Sequence, residues 1–458
     1  MKLNLSLLLL VVANVASTVS AKNEKSSNSY LICSSNDLEC QKNQINLCNY
    51  DYNNCLNDMT TKNNCNKIRK LCKELSKTYG DKKCATSEYS FEPTTDNVRI
   101  LGRANYYEEE GGYLWFGLTG SGVEYSFTGK TTTINVTADT TAYSEDMPAH
   151  IIIYADGETY LDTVITEKIT DFTVKFDKPG KHVVRFIKVS EAERGSIRIN
   201  EIKADSKKIK PTHSEKLKME FIGDSITCAY GVDDTGFGNF STRTQDGTKS
   251  YAYKTALKFH ADISVVAYSG FAILSCYSFD GGRTPDSTVP AIYDRLGFSF
   301  APNEFDDGTY ELQNATWDQQ QYIPDLVVIN LGTNDSAYFQ SIDPAKVPSE
   351  TEAFVEAYED FLHQIRALYP KAKILCTLGM MGQEVFPQIE EAVENYIKET
   401  GDKTVKTLKF NVQDEENNGL GVDGHPSAQS HVDAAYELIE AIEKLYGWKS
   451  DPNVNIEL

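Results

Sequence analysis

Three short stretches of the 458-residue chain carry residue types suited to a single reaction. Gly223-Asp224-Ser225-Ile226-Thr227 offers a hydroxyl, Gly332-Thr333-Asn334-Asp335 a carboxamide, and Asp423-Gly424-His425-Pro426-Ser427 an imidazole. A serine hydroxyl becomes a nucleophile when a neighbouring base takes its proton. A histidine serves as that base when a partner fixes its tautomer. The tetrahedral intermediate then needs hydrogen-bond donors for its oxyanion, which an amide side chain and backbone N–H groups supply. Together the three stretches point to acyl transfer. The competing reading of Ser225 is a helix cap, and Asn334 and Asp335 also suit a turn.

The elements that must bring these stretches together are visible in the hydrophobic pattern. From residue 216 onward, short apolar runs at 219–222, 263–267, 326–331 and 373–378 alternate with helix-length periodic segments at 250–259, 350–368, 390–399 and 427–446. This alternation predicts an α/β fold with a parallel sheet flanked by helices over 216–450. Reactive loops of such sheets lie at the carboxyl ends of the strands, where the Ser and Asn stretches fall. The stretch 89–204 reads differently. Alternating runs at 123–127, 133–136, 151–154 and 182–186, broken by Asp156-Gly157 and Pro179-Gly180, predict a β-sandwich of jelly-roll type. The polar stretch 205–215 predicts a linker.

Residues 1–21 combine Lys2, an apolar run at 7–13 and the small-residue exit Val19-Ser20-Ala21. They read as a secretory signal peptide cut after Ala21, since a bilayer span needs about 20 apolar residues. The expected location is secreted and extracellular. Ten cysteines follow, seven of them between Cys33 and Cys84 with no C-x-x-C pair and no His among them. That composition favours disulfides over zinc. Cys48 and Cys55, and Cys65 and Cys72, are each seven apart, two helical turns on one face, with a polar turn at 57–64 between them. A disulfide-rich helical hairpin over 30–86 is therefore expected, with pairs Cys55–Cys65 and Cys48–Cys72, and Cys84 bridging to Cys40 or Cys33. Crosslinks would supply the stability that so small a core lacks. A wall or scaffold partner for this module, or a spacer role, both stay open.

Lys plus Arg is 45 and Asp plus Glu is 66, so 45 − 66 gives −21. Such a charge disfavours nucleic acid and anionic membrane surfaces as partners and leaves neutral polymers available. Asn135, Asn239 and Asn314 each begin an N-x-Ser/Thr motif and are candidate glycosylation sites. Asn334 begins another, but a glycan there would block the site.

Read in order, G-D-S-I-T, G-T-N-D and D-x-H-P resemble the SGNH hydrolases. More narrowly, Phe221-Ile222-Gly223-Asp224-Ser225-Ile226-Thr227-Cys228-Ala229-Tyr230-Gly231, followed by Lys249-Ser250-Tyr251-Ala252-Tyr253, resembles carbohydrate esterase family 2, with the resemblance covering roughly 89–448. It implies a jelly roll joined to an SGNH domain that needs neither cofactor nor metal. It also implies removal of acetyl groups from plant polysaccharides such as xylan or glucomannan, so that an acetylated poly- or oligosaccharide is the partner. Carried onto this chain, it makes Ser225 the nucleophile and His425 the general base and then acid. The backbone N–H groups of Ser225 and Gly270 and the Asn334 amide become the oxyanion donors. Asp423 is the expected orienter of His425, two residues before it where broader SGNH enzymes commonly use three; a backbone carbonyl is the alternative. Gly424 stands where the family often has an aromatic, so Trp317 and Tyr251 are expected to line the cleft, unless they are core. Two further readings stand beside an acetylesterase: a lipase-like or other O-acyl hydrolase, and a non-catalytic carbohydrate-binding or docking protein.

Overall fold

The computed structural model describes residues 88–457, apart from 109–110 and 236–237. The expected signal peptide, hairpin module and pairs Cys55–Cys65, Cys48–Cys72 and Cys84 with Cys40 or Cys33 lie outside the described residues.

Five strands form a parallel sheet: β1 (Leu217–Gly223), β2 (Ala261–Ala267), β3 (Leu326–Asn330), β4 (Lys373–Leu378) and β5 (Val405–Lys409), in the order β2-β1-β3-β4-β5. The longer helices around it are α1 (Tyr251–Lys258), α2 (Thr333–Ser341), α3 (Val347–Leu368), α4 (Phe386–Thr400) and α5 (Ala428–Tyr446). Successive strand residues point to opposite faces. Met219, Phe221, Val328 and Leu375 pack with α1 and α5. Ile222, Val327, Ile329 and Ile374 pack with α3 and α4. Both faces are therefore buried, which is why these strands read as continuous apolar runs. Ser250 and Ser427 start α1 and α5, each side chain accepting a backbone N–H in the first turn.

Connections from β1 run to β2 on one side and, later, β3 lies on its other side. This reversal opens a crevice at the carboxyl end of β1, where ligands of open α/β sheets bind. The Ser225, Gly270 and Asn334 loops all emerge there.

Residues 89–211 form ten antiparallel strands built on one long pair, Gly122–Ala138 against Ile169–Lys188. The register slips between Gly129 and Thr131, and such a bulge bends both strands. The first half of Gly122–Ala138 then pairs with Arg99–Leu101 and Ile209–Pro211, the second with Ile197–Ala204. Val123, Tyr125, Ile134, Phe172, Phe186 and Ile199 close the core between them. The expected linker at 205–215 is in part this last strand. Ile209 is buried and pairs with Phe127, so one apolar residue pins an otherwise polar stretch to the sheet.

Both regions belong to one compact unit, Glu88–Leu458. Arg103, from the β region, is fully buried and donates to the carbonyls of Tyr293 at 2.6 Å and Arg295 at 3.1 Å, beside Glu220 of β1 at 3.4 Å. Glu220 also accepts from the Ser264 hydroxyl at 2.9 Å and from the Tyr293 hydroxyl. Buried charges persist only when paired and hydrogen-bonded in this way. Arg198 reaches Asp307 at 2.7 Å and lies 3.7 Å over the Phe305 ring, tying the β region to the hairpin Asn303–Phe305 and Gly308–Tyr310.

Candidate active site

β1 runs into a tight turn. A Cβ on Gly223 would sit 2.0 Å from the Thr227 hydroxyl, so no larger residue fits there. Buried Asp224 closes the turn by accepting the Ile226 N–H at 3.0 Å, and burial pushes its carboxyl up to about 7. This presents Ser225, whose Oγ lies 2.8 Å from His425 Nε2, 200 residues away in sequence.

The other imidazole nitrogen, Nδ1, lies 2.9 Å from the Val422 carbonyl. A carbonyl only accepts, so Nδ1 carries the hydrogen and Nε2 presents a lone pair to the serine hydroxyl. Partial burial lowers the pKa of His425 below the usual imidazole value, against the opposing pull of the Val422 carbonyl, Asp423 and Glu191. The imidazole is thus neutral at neutral pH, the form a general base requires.

Asp423 does not orient His425 through a hydrogen bond. Its exposed carboxylate faces the Tyr230 hydroxyl at 3.4 Å. Asp423 sits at φ 54°, ψ 31° within the turn Val422–Gly424. With only one residue between Asp423 and His425, this left-handed turn puts the carbonyl of residue 422, not the carboxylate, under Nδ1. What Asp423 contributes to the imidazole is charge.

Near this pair, two main-chain N–H groups have no partner among the described residues. In the loop after β2, the N–H groups of residues 268, 269 and 271–276 are all taken: by Gly223, Glu191, Tyr268, Ser287, Asp335 and Thr284. The Gly270 N–H has no partner among the described residues, and neither has that of Ser225. Gly270 has φ 80° with open space where a Cβ would point. Asn334, in the first turn of α2, donates one amide hydrogen to the Phe271 carbonyl at 2.8 Å, which fixes the side chain and leaves the second free. Its neighbour Asp335 is fully buried and accepts the N–H groups of Ile273, Leu274 and Ser275 at 3.0, 2.7 and 3.2 Å. Burial pushes the Asp335 carboxyl up to about 6.

Two expected cleft residues are core instead. Tyr251 is fully buried, its hydroxyl 3.0 Å from that of Thr227 and its ring parallel to His431. Trp317 is 3% exposed, packed near Arg103 at the amino end of the sheet with Lys218, away from Ser225. The aromatic wall beside the imidazole is Tyr230, 4.6 Å from His425, stacked at 3.9 Å on Phe240. Tyr230 stood within the serine motif and was the available signal. Asn239 and Asn314 are exposed, whereas Asn135 is half-buried with its amide donating to Asp171 at 2.7 Å. Among the described residues no group of three or more His, Cys, Asp or Glu is arranged to hold a metal ion.

Two family models match in succession: carbohydrate esterase 2 N-terminal over residues 100–212, and GDSL-like lipase/acylhydrolase over 219–438. The two matches fall in order on the β region and the α/β region, and together they make the chain similar to carbohydrate esterase family 2. The cellulase/esterase CelE of Acetivibrio thermocellus is 30% identical over 383 residues, covering 79% of this chain and 41% of that protein. The chain thus spans less than half the length of this relative. An acetylxylan esterase / glucomannan deacetylase of Cellvibrio japonicus is 22% identical over 365 residues, covering 79% of this chain and 93% of that one. Among solved structures, a family two carbohydrate esterase from Clostridium thermocellum, in complex with cellohexaose, aligns with a TM-score of 0.64 at 26% identity, covering 77% of this chain and 99% of that one.

Proposed function

We propose that this chain is a serine esterase that removes O-acetyl groups from plant cell-wall polysaccharides, xylan or glucomannan. The observation that carries the reading is the 2.8 Å approach of Ser225 Oγ to His425 Nε2, beside the unpaired Gly270 N–H. The names of the relatives, acetylxylan esterase and glucomannan deacetylase, support the substrate class.

In this mechanism Ser225 Oγ attacks the acetyl carbonyl carbon while its proton passes to His425 Nε2. Negative charge develops on the carbonyl oxygen and is met by the N–H groups of Ser225 and Gly270 and the free amide hydrogen of Asn334. Collapse breaks the bond to the sugar oxygen, which takes the proton from His425. The acetyl group is left on Ser225. Water then gives a proton to His425 and attacks the acyl carbon. Acetate departs as the proton returns to Ser225. Tyr230 and Phe240 would offer the sugar an apolar face beside the reacting centre.

The same reading treats residues 89–211 as a jelly roll, the N-terminal cysteines as a disulfide scaffold, and the enzyme as secreted after loss of residues 1–21. The test is acetate release from acetylated xylan and glucomannan by wild type, Ser225→Ala and His425→Ala. Wild type is expected to release acetate and both variants to lose nearly all of it. A nitrophenyl ester series separates the lipase-like alternative: acetate is expected to turn over far faster than longer acyl chains.

A further inference from the structure

The loop that carries Gly270 is held by groups from several elements, and one of them comes from outside the α/β region. Glu191 lies just after the long strand Ile169–Lys188 of the β region and is fully buried. Its Oε2 accepts the Ser269 N–H at 2.9 Å, across 78 residues of sequence. Ser269 immediately precedes Gly270, whose own N–H is the unpaired donor. Holding the Ser269 N–H therefore restricts the backbone that leads into the Gly270 peptide.

Glu191 is itself tied down through its main chain and by a partly buried ion pair. Its N–H donates to the Gln245 side-chain carbonyl at 3.2 Å and its C=O accepts from Lys188 Nζ at 2.6 Å, while its Oε1 lies 3.4 Å from Arg194 Nε as an ion pair without a hydrogen bond. Lys188 is fully buried, and burial lowers its pKa to about 7. Glu193, next but one along the chain, is pushed well above the ordinary carboxyl range by burial and by Glu191. The Cys228 thiol, three residues past the nucleophile, is raised by burial and by the same two carboxylates. Burying so many ionisable groups in one place is costly to fold.

We infer that Glu191 is a positioning residue for the esterase reaction, supplied by the β region to aim the Gly270 N–H at the developing oxyanion. The β region is then part of the active site rather than an appendage to it. Glu191 has a second effect: its charge, with that of Asp423 and against burial, holds up the pKa of His425. The other titratable groups facing that imidazole are Tyr230, whose ring is 4.6 Å away, and His431, which is buried and pushed down to about 3.

This inference rests on the esterase reading, and the experiment keeps the two apart. Full-length wild type, Ser225→Ala, Glu191→Ala, Glu191→Leu and Glu191→Gln are compared with nitrophenyl acetate for kcat, KM, pH profile and thermal midpoint. Glu191→Ala is expected to lose about 100-fold in kcat, the scale of one lost oxyanion donor, with KM within a few-fold of wild type. Glu191→Gln keeps an acceptor for Ser269, so its kcat is expected to stay within about tenfold of wild type. Its acid limb shifts to lower pH, because a charge that raises the His425 pKa is gone. A Glu191→Ala protein that folds and keeps wild-type kcat, with only its midpoint lowered, overturns the inference. If Glu191→Ala does not fold, Glu191→Leu, which fills the space without an acceptor for Ser269, decides: a kcat within a few-fold of wild type overturns the inference. Full activity in Ser225→Ala overturns the reading of the site and this inference with it.

Discussion

An imidazole can take the serine proton only while Nε2 is bare, and in this chain a carbonyl of the main chain keeps it so. The Val422 C=O holds the hydrogen on Nδ1, while Asp423 acts from a distance through its charge. Asp423→Asn should therefore keep kcat at its pH optimum within about tenfold of wild type, since the tautomer is still set by the carbonyl. Activity needs the neutral imidazole, so it falls as pH drops through the His425 pKa. Removing the Asp423 charge lowers that pKa further, and the acid limb of kcat/KM should move to lower pH. A pH–rate profile checks this, and a fall of several hundredfold at the optimum would return the orienting role to the carboxylate. Ser225, Asn334 and His425 were legible in the sequence because their function lies in side-chain identity. Val422 was not legible, because every residue has a carbonyl and only the left-handed turn at Asp423 aims this one.

The loop between Tyr268 and Ser275 delivers its one free N–H because others bind the rest. Asp335 takes three of them from the first turn of α2, next to the Asn334 that donates to the same loop. Asp335→Ala strands three N–H groups, two buried and one partly buried, each costing about 1–3 kcal/mol if water does not reach it. The expected outcome is a lower thermal midpoint together with a kcat loss of about 100-fold or more. Gly270→Ala meets no steric wall, yet φ 80° disfavours a Cβ by about 1–2 kcal/mol. Here kcat should fall while the thermal midpoint changes little, and steady-state kinetics beside a melting curve separate the two effects. Helices and strands were legible because β1 to β4 bury both faces and read as apolar runs. Tyr251 and Trp317 misled because an aromatic has the same local pattern in a cleft as in a core. The loop clamp by Asp335 joins residues some 60 positions apart and leaves no local trace.

At the scale of the molecule, the β and α/β regions share buried charge. Arg103 reaches from one into the other to meet Glu220 and two carbonyls, with no exposed surface of its own. Arg103→Ala leaves the Glu220 carboxylate buried without its cation, a loss on the order of 3–5 kcal/mol. Unfolding monitored by circular dichroism should show that loss as one transition for both regions, whereas two separate transitions would indicate independent domains. Arg103 and the buried Glu191 both cross from the β region into the α/β region, so the two share one buried network.

If the acyl group passes through Ser225, the acylated protein can be weighed directly. Nitrophenyl acetate is mixed with wild type, with Ser225→Ala and with His425→Ala, quenched in acid, and each intact protein is measured by mass spectrometry with peptide mapping. The account predicts one added acetyl group in wild type, mapped to Ser225, and none above background in either variant. An acetyl group on another residue, or undiminished hydrolysis by Ser225→Ala, would contradict it.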